Sequence, residues 1–121
     1  MTRKKLGEQG EALAQAYLLK KNYEILETNW RYSRAEIDLI VRKDNILIFV
    51  EVKTRTDDYW GEPASFVNWK KEDLMITAAS AYMEQINHEW EIRFDIVGIL
   101  WRSDKDYEIK HYEDAFFPGL E

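Results

Sequence analysis

The sequence contains no cysteine, only two prolines and five glycines, and no long apolar run. Without cysteine, the chain has no disulfide, no thiolate zinc site and no cysteine nucleophile. Its longest apolar segments fall far short of the roughly 18 residues that span a bilayer, and its first residues lack a signal peptide's apolar stretch. We therefore expect a soluble cytoplasmic protein with no membrane partner.

Apolar residues, by contrast, are abundant. They make up 45% of the 121 residues, and aromatic residues make up 14%. This content is enough to bury one hydrophobic core, whereas the length leaves no room for a second. No repeat, low-complexity tract or linker-like segment interrupts the chain. We predict a single domain over residues 1–121, with a core at about 6–113 and a short tail at 114–121.

Charge is distributed unevenly along the chain. The formal net charge of −6 argues weakly against a nucleic-acid partner, because phosphate binding depends on Lys and Arg. Residues 1–43 nevertheless carry nine Lys and Arg against six Asp and Glu, while residues 44–121 carry eight against seventeen. A basic face can therefore exist on this acidic protein.

Hydrophobic periodicity predicts two helices and five strands in the order α-β-β-β-α-β-β. The helices are expected at about residues 6–21 and 68–87, and a loop is expected at 55–65. Segments rich in Ile, Val, Phe, Trp and Tyr predict strands at about 23–32, 35–42, 46–54, 91–101 and 107–112. The last of these strands is expected at an edge of the sheet.

Two glycines, Gly7 and Gly10, interrupt the pattern of the first helix. Each is less favourable there than alanine by about 1 kcal/mol. A close approach of the helix backbone to a neighbouring element would explain both.

Four charged residues lie in two neighbouring apolar strands that Asp44-Asn45 separates. If Asp44-Asn45 forms a two-residue hairpin loop, Asp38 lies opposite Glu51 and Glu36 opposite Lys53, all on one face. Opposed Cβ atoms are about 4.5–5.5 Å apart, so two carboxylates could hold one Mg²⁺ at about 2.1 Å. A solvated edge hairpin with ion pairs worth at most about 1 kcal/mol would explain the same pattern.

An acidic residue in one strand, a Glu-x-Lys on the next and a glutamate on an N-terminal helix resemble the PD-(D/E)xK nuclease superfamily. More closely, the chain resembles the bacterial YraN-like family of resolvase-like proteins. The similarity covers about residues 6–100 and lies in Gly7, Gly10-Glu11, Asn29-Trp30-Arg31, Glu36-Ile37-Asp38-Leu39-Ile40, Phe49-Val50-Glu51-Val52-Lys53-Thr54-Arg55, Gly61, Val67, Lys70, Ala78 and Arg93-Phe94-Asp95-Ile96-Val97. One departure is Ala35, where the family usually has glycine. The resemblance implies an α/β fold with a restriction-endonuclease-like core, in which helices flank a mixed central β-sheet.

The resemblance also implies a metal site. Asp38, Glu51 and the Val52 main-chain carbonyl would bind a divalent cation, Mg²⁺ or Mn²⁺. Lys53 would orient or activate the attacking water, so that Asp38, Glu51 and Lys53 form the catalytic set. Chemically, such a metal lowers the pKa of bound water, and the lysine supplies a second positive charge near the phosphoryl oxygen.

Two further glutamates are candidates for this site. In similar resolvases a helix glutamate closes the metal site, which makes Glu11 a candidate ligand; an ordinary solvated helix glutamate is the alternative. Glu36 is either an extra ligand or a partner of Lys53, and we favour an outer-shell role for it.

Five basic residues are candidates for contacts with nucleic-acid phosphates: Arg31, Arg34, Arg55, Lys70 and Lys71. The arginines flank the acidic residues in sequence. The lysines are expected in the first turn of the second helix, where the helix dipole disfavours cations and a phosphate contact would explain them. Solvated surface positions are the alternative for all five.

One charged residue, Asp95, interrupts a strand that is otherwise apolar. We expect it to have a structural hydrogen-bonding role. His88 and His111 have no ligand-like companions in the sequence.

The function that the resemblance implies is metal-dependent hydrolysis of nucleic-acid phosphodiester bonds, with DNA, including branched DNA, as the expected substrate. A non-catalytic nucleic-acid-binding module on the same fold is one alternative, and a protein-interaction domain is another. Resolvase-like proteins often act as dimers, which makes a homodimer an assembly to test, with Phe116-Phe117-Pro118 as a candidate contact.

Overall fold

The computed structural model contains two helices and five strands in the predicted order. It describes residues 1–56 and 69–115, without the side chain of Trp69, so most of the predicted loop and Phe116-Phe117-Pro118 lie outside the described residues. The elements are α1 (Arg3–Lys20), β1 (Glu24–Tyr32), β2 (Ala35–Lys43), β3 (Ile46–Arg55), α2 (Trp69–Ile86), β4 (Ile92–Ser103) and β5 (Asp106–Tyr112). In the described ranges, neither helix is long and apolar enough to cross a membrane.

The strands form one mixed sheet in the order β1-β2-β3-β4-β5. Strands β3 and β4 are parallel, and the other neighbouring pairs are antiparallel. A parallel pair needs a crossover connection, and α2 lies within it. The predicted α/β architecture, with a mixed sheet and β5 at its edge, is confirmed, and it is consistent with a restriction-endonuclease-like core.

Each face of the sheet packs against one helix. Leu18 of α1 belongs to the core cluster on one face, together with Val50. Met75 of α2 belongs to the cluster on the other face, together with Phe49. On α2, Met75, Ala78, Ala79 and Tyr82 are buried, whereas Leu74 remains 38% exposed.

The β2–β3 hairpin has the predicted turn. Asp44 and Asn45 both have positive φ, at 53° and 66°, as a two-residue type I′ turn requires. The pairing runs from Lys43 with Ile46 to Leu39 with Val50. The predicted register is confirmed over this range.

Helix α1 begins three residues earlier than expected because Thr2 caps it. The Thr2 hydroxyl accepts a hydrogen bond from the Lys5 backbone N–H at 3.1 Å. Within the helix, a Cβ on Gly10 would lie 1.8 Å from Thr54 Oγ1, whereas a Cβ on Gly7 would meet nothing within 4 Å. The predicted close approach is therefore confirmed for Gly10 and wrong for Gly7.

Candidate metal and catalytic site

A cleft of about 740 Å³ lies where α1 begins, beside β2 and the end of β3. Its lining includes the three acids Glu11, Asp38 and Glu51, and also Lys53. The fold thus brings these four predicted site residues, from three elements that are separate in sequence, to one cleft.

The β2–β3 ladder ends at this cleft. Its last pair is Leu39 with Val50. In the same register Val52 would next exchange both backbone hydrogen bonds with Ile37. Instead, the Val52 N–H donates to Asp38 Oδ2 at 2.8 Å. Because the N–H and C=O of one strand residue point to the same side of the strand, the Val52 carbonyl also points to the β2 side of β3, beyond the last pair of the ladder.

The alternation of β2 shifts at Asp38. Residues two apart in a regular strand share a face, yet Ile37 packs in the cluster of α2 and Leu39 in the cluster of α1. The expected common face for four charged residues is therefore not formed. Glu36 makes a salt bridge with Arg31 of the neighbouring strand, at 2.5 Å, and not with Lys53.

Glu51 is a buried carboxylate whose two oxygens differ in their contacts. It is only 4% exposed. Its Oε1 accepts from the Lys71 ammonium of α2, while its Oε2 has no hydrogen-bond partner among the described residues. Burial, followed by the charge of Asp38, raises the pKa of Glu51 to about 7, although Lys71 opposes this shift. Burial also raises the pKa of Asp38, and the Val52 hydrogen bond lowers it in part.

Glu11 brings a third acid to the cleft from α1. Its Oε1 is buried and lacks a hydrogen-bond partner in the described part of the chain. Burial, followed by the charges of Asp38 and Glu36, raises the pKa of Glu11 to about 7. An ordinary solvated helix glutamate would show neither property.

These donors fit a divalent cation that retains bound water. Among residues 1–56 and 69–115, no group of three or more His, Cys, Asp or Glu side chains is arranged to hold a metal ion by itself. Mg²⁺, however, commonly binds through one or two carboxylates and keeps several waters. Asp38, Glu51 and the Val52 carbonyl can supply such a set. Glu51 and Glu11 line the same cleft, and each has one buried oxygen without a hydrogen-bond partner among the described residues.

Lys53 follows Glu51 by two residues on β3, so the two side chains leave the strand on the same face. Burial, followed by the positive charges of Arg55 and Lys71, lowers the pKa of Lys53. Its ammonium is therefore less well stabilised than one in water, and it would gain from an anion entering the cleft.

The five basic residues predicted to contact phosphates occupy different settings. Arg31 is exposed but paired with Glu36, and Lys71 is paired with Glu51. Arg34 lies in the exposed β1–β2 turn, and Lys70 is exposed in the first turn of α2. Arg55 lines the cleft. Their contacts with nucleic acid remain a prediction.

A second polar cluster lies on the α1 side of β4, around Asp95, which is fully buried. Its carboxylate accepts hydrogen bonds from Arg93, from the Asp114 backbone N–H and from His111, at 2.7–2.9 Å. The expected structural role of Asp95 is confirmed. The link to His111 was not predicted, and the only signal for it was a charged residue in the middle of an apolar strand.

The raised pKa of Glu11 predicts a stability change with pH. The pKa of this carboxyl is about 7 in the folded protein, against an ordinary value of 4.5. Its contribution to stability is therefore fully present below pH 4.5 and is lost as the pH rises through 7. In the presence of a metal chelator, the Tm should fall less between pH 5.5 and 8 for Glu11→Gln than for the wild type. Glu84→Gln, exposed on α2, is the control; if both variants keep the wild-type slope, the Glu11 carboxyl does not titrate in this range.

Comparison with known proteins places the chain in a family. The model of "Uncharacterised protein family UPF0102" matches residues 10–99. A UPF0102 protein of Flavobacterium psychrophilum is 46% identical over 112 residues, which is 93% of each chain. One of Natranaerobius thermophilus is 42% identical over 119 residues, covering 96% of this chain and all of the relative. This confirms the resemblance to the YraN-like family, and the chain belongs to family UPF0102.

Proposed function

We propose that this protein is a metal-dependent nuclease that hydrolyses phosphodiester bonds of nucleic acid, with DNA, including branched DNA, as its substrate. One observation supports this most. Glu11 Oε1 and Glu51 Oε2 are buried and lack hydrogen-bond partners among the described residues, and both residues line one cleft with Asp38. Buried carboxylate oxygens normally accept hydrogen bonds or face a positive charge. A divalent cation would supply the partner that these two oxygens lack, beside the Lys71 ammonium that contacts Glu51 Oε1.

In this proposal the cation is Mg²⁺ or Mn²⁺. Asp38, Glu51 and the Val52 carbonyl would hold it, and Glu11, which lines the same cleft, would bind it through water. When bound, the metal lowers the pKa of a coordinated water and offsets charge on a phosphoryl oxygen. The hydrogen bond from Val52 keeps Asp38 oriented toward this position.

Lys53 acts on the substrate side of the same cleft. Lys53 is half-buried, and its side chain leaves β3 on the same face as Glu51. A fixed positive charge there stabilises the negative charge that develops on the phosphoryl oxygens as the bond to phosphorus breaks. Glu36, which is paired with Arg31, has an outer role and orients that arginine.

Metal titration combined with cleavage tests the proposal. Mg²⁺ and Mn²⁺ binding is measured by calorimetry for the wild type, Asp38→Asn/Glu51→Gln and Lys53→Ala. Cleavage of a four-way junction, duplex DNA, single-stranded DNA and RNA is assayed in parallel. The wild type should bind metal and cut DNA. The double variant should lose about 100-fold or more in metal affinity. Lys53→Ala should keep metal binding and lose about 100-fold or more in cleavage rate.

Three outcomes contradict the proposal. If the wild type binds neither metal ion, with or without DNA, the metal site does not exist and a protein-interaction domain becomes the better account. If it binds metal and nucleic acid but cuts none of the four substrates, the protein is a non-catalytic binding module. Cleavage that persists in the double variant would place the reaction elsewhere on the protein.

A further inference from the structure

An ion pair joins α2 to the candidate site. The Lys71 ammonium contacts Oε1 of Glu51, while Oε2 has no hydrogen-bond partner among the described residues. The Glu51 side chain is 5% exposed and the Lys71 side chain is 38% exposed. One oxygen of this buried carboxylate thus contacts the Lys71 ammonium, and the other has no hydrogen-bond partner among the described residues.

Lys71 occupies a position where a lysine is unfavourable for the helix. Because α2 begins at Trp69, Lys71 lies in the first turn, where the helix dipole repels positive charge. A buried carboxylate without a counter-charge is destabilised by several kcal/mol. Helix stability does not explain a lysine at this position, but the ion pair with Glu51 does.

We infer that Lys71 is the counter-ion of the metal-free site, and that a divalent cation displaces it from Glu51. This inference rests on the proposed function, because it concerns the same metal site. A cation bound to Glu51 at about 2.1 Å would lie beside the ammonium, and two positive charges so close together repel each other strongly in a buried setting. The flexible four-carbon stem of Lys71, partly exposed, allows its ammonium to move toward solvent.

Displacement has a consequence for substrate binding. Glu51 lines the cleft that a phosphodiester must enter, so the displaced Lys71 ammonium lies beside that cleft. In this scheme the displaced ammonium contacts a phosphate of the substrate, which links metal loading to nucleic-acid affinity. Toward the metal, Lys71 acts only through Glu51 and is a positioning residue.

Calorimetry with Mg²⁺ tests the displacement. The wild type, Lys71→Met and Lys20→Met are titrated at pH 8.5, where protons compete with the metal less than at neutral pH. Lys71→Met should bind Mg²⁺ about fivefold or more tightly than the wild type, because the competing ammonium is gone. Lys20→Met makes the same charge change at the far end of the 18-residue α1, roughly 25 Å from its start, and should bind as the wild type does. Equal affinities in the two variants would overturn the inference.

NMR provides a readout that is independent of affinity. The ¹³Cε resonance of Lys71, assigned by its absence from Lys71→Met, should move when Mg²⁺ saturates the wild type. In Glu51→Gln without metal, it should already lie near the displaced position. A resonance that does not move while Mg²⁺ binds would overturn this inference and leave the proposed function intact, whereas a wild type that binds no Mg²⁺ would overturn both.

The link between metal loading and DNA binding is tested in a variant that cleaves DNA slowly. In a Lys53→Ala background, Mg²⁺ should tighten DNA binding when Lys71 is present, and less so when Lys71→Met is added. The same Mg²⁺ effect in both backgrounds would show that the displaced lysine does not contact the substrate, contrary to the scheme.

Discussion

Replacing Asp95 with asparagine is expected to lower the free energy of unfolding by about 3–5 kcal/mol at pH 7. The carboxylate is fully buried and accepts two hydrogen bonds from Arg93 and one each from His111 and the Asp114 N–H. Asparagine keeps the shape but carries no charge, and its NH₂ group would face donors. The Arg93 guanidinium, only 15% exposed, would then lose its buried counter-charge and keep only Glu113, which lies 3.8 Å away and is 60% exposed.

Urea denaturation of Asp95→Asn and Asp106→Asn measures this effect. Asp106 is also an aspartate paired with an arginine, Arg102 at 3.2 Å, but its side chain is 64% exposed. Exposed pairs often contribute nothing measurable, so Asp106→Asn should leave the free energy of unfolding unchanged. If Asp95→Asn were as mild as this control, the buried cluster would not stabilise the fold.

The Asp95 cluster also makes the free energy of unfolding decrease at acid pH. Burial alone would raise the pKa of Asp95, but hydrogen bonds from His111, Arg93 and Asp114 hold it below its ordinary value. A lowered carboxyl pKa gives stability that is present above about pH 4, its unfolded value, and is lost as the pH falls through the folded pKa. This effect has the opposite sign to that of Glu11 and lies in a lower pH range, so the two can be separated.

The second large effect is expected at Gly10. An alanine Cβ there would lie 1.8 Å from Thr54 Oγ1 and 2.9 Å from Thr54 Cβ. Rotating the β-branched threonine cannot remove the clash with its own Cβ, so α1 must move away from β3. We expect Gly10→Ala to lower the free energy of unfolding by about 2–3 kcal/mol, despite the better helix propensity of alanine. The shift would also carry Glu11 away from the cleft.

Gly7 is the matched control on the same helix. A Cβ at Gly7 meets nothing within 4 Å, so Gly7→Ala should raise the free energy of unfolding by up to about 1 kcal/mol. Thermal and urea unfolding of both variants, together with Gly10→Ala/Thr54→Ala, test the contact. The double variant should recover part of the loss, because Thr54→Ala removes the nearest atom. A Gly10→Ala protein as stable as Gly7→Ala would contradict the close packing of α1 on β3.

Sequence patterns were enough to predict the order of the elements and the register of the β2–β3 hairpin. Both depend on local patterns: hydrophobic periods of 3.6 and 2, and a two-residue turn at Asp44 and Asn45 that adopts positive φ. Because the register follows from the turn, the sequence also placed Asp38 close to Glu51 on neighbouring strands. The resemblance to a known family added the metal and the nuclease chemistry as expectations.

The partner of each charged group, in contrast, depends on how distant elements pack in the folded protein. Lys71 pairs with Glu51, Glu36 with Arg31, and His111 with Asp95. The shift in alternation at Asp38 and the difference between Gly7 and Gly10 were likewise absent from the pattern of the sequence. Local periodicity specifies which face of an element is apolar, but not the position at which a helix crosses the sheet. That position depends on packing between distant segments. It determines that Lys71 reaches Glu51 Oε1, and that Glu11 Oε1 and Glu51 Oε2 are buried without hydrogen-bond partners among the described residues.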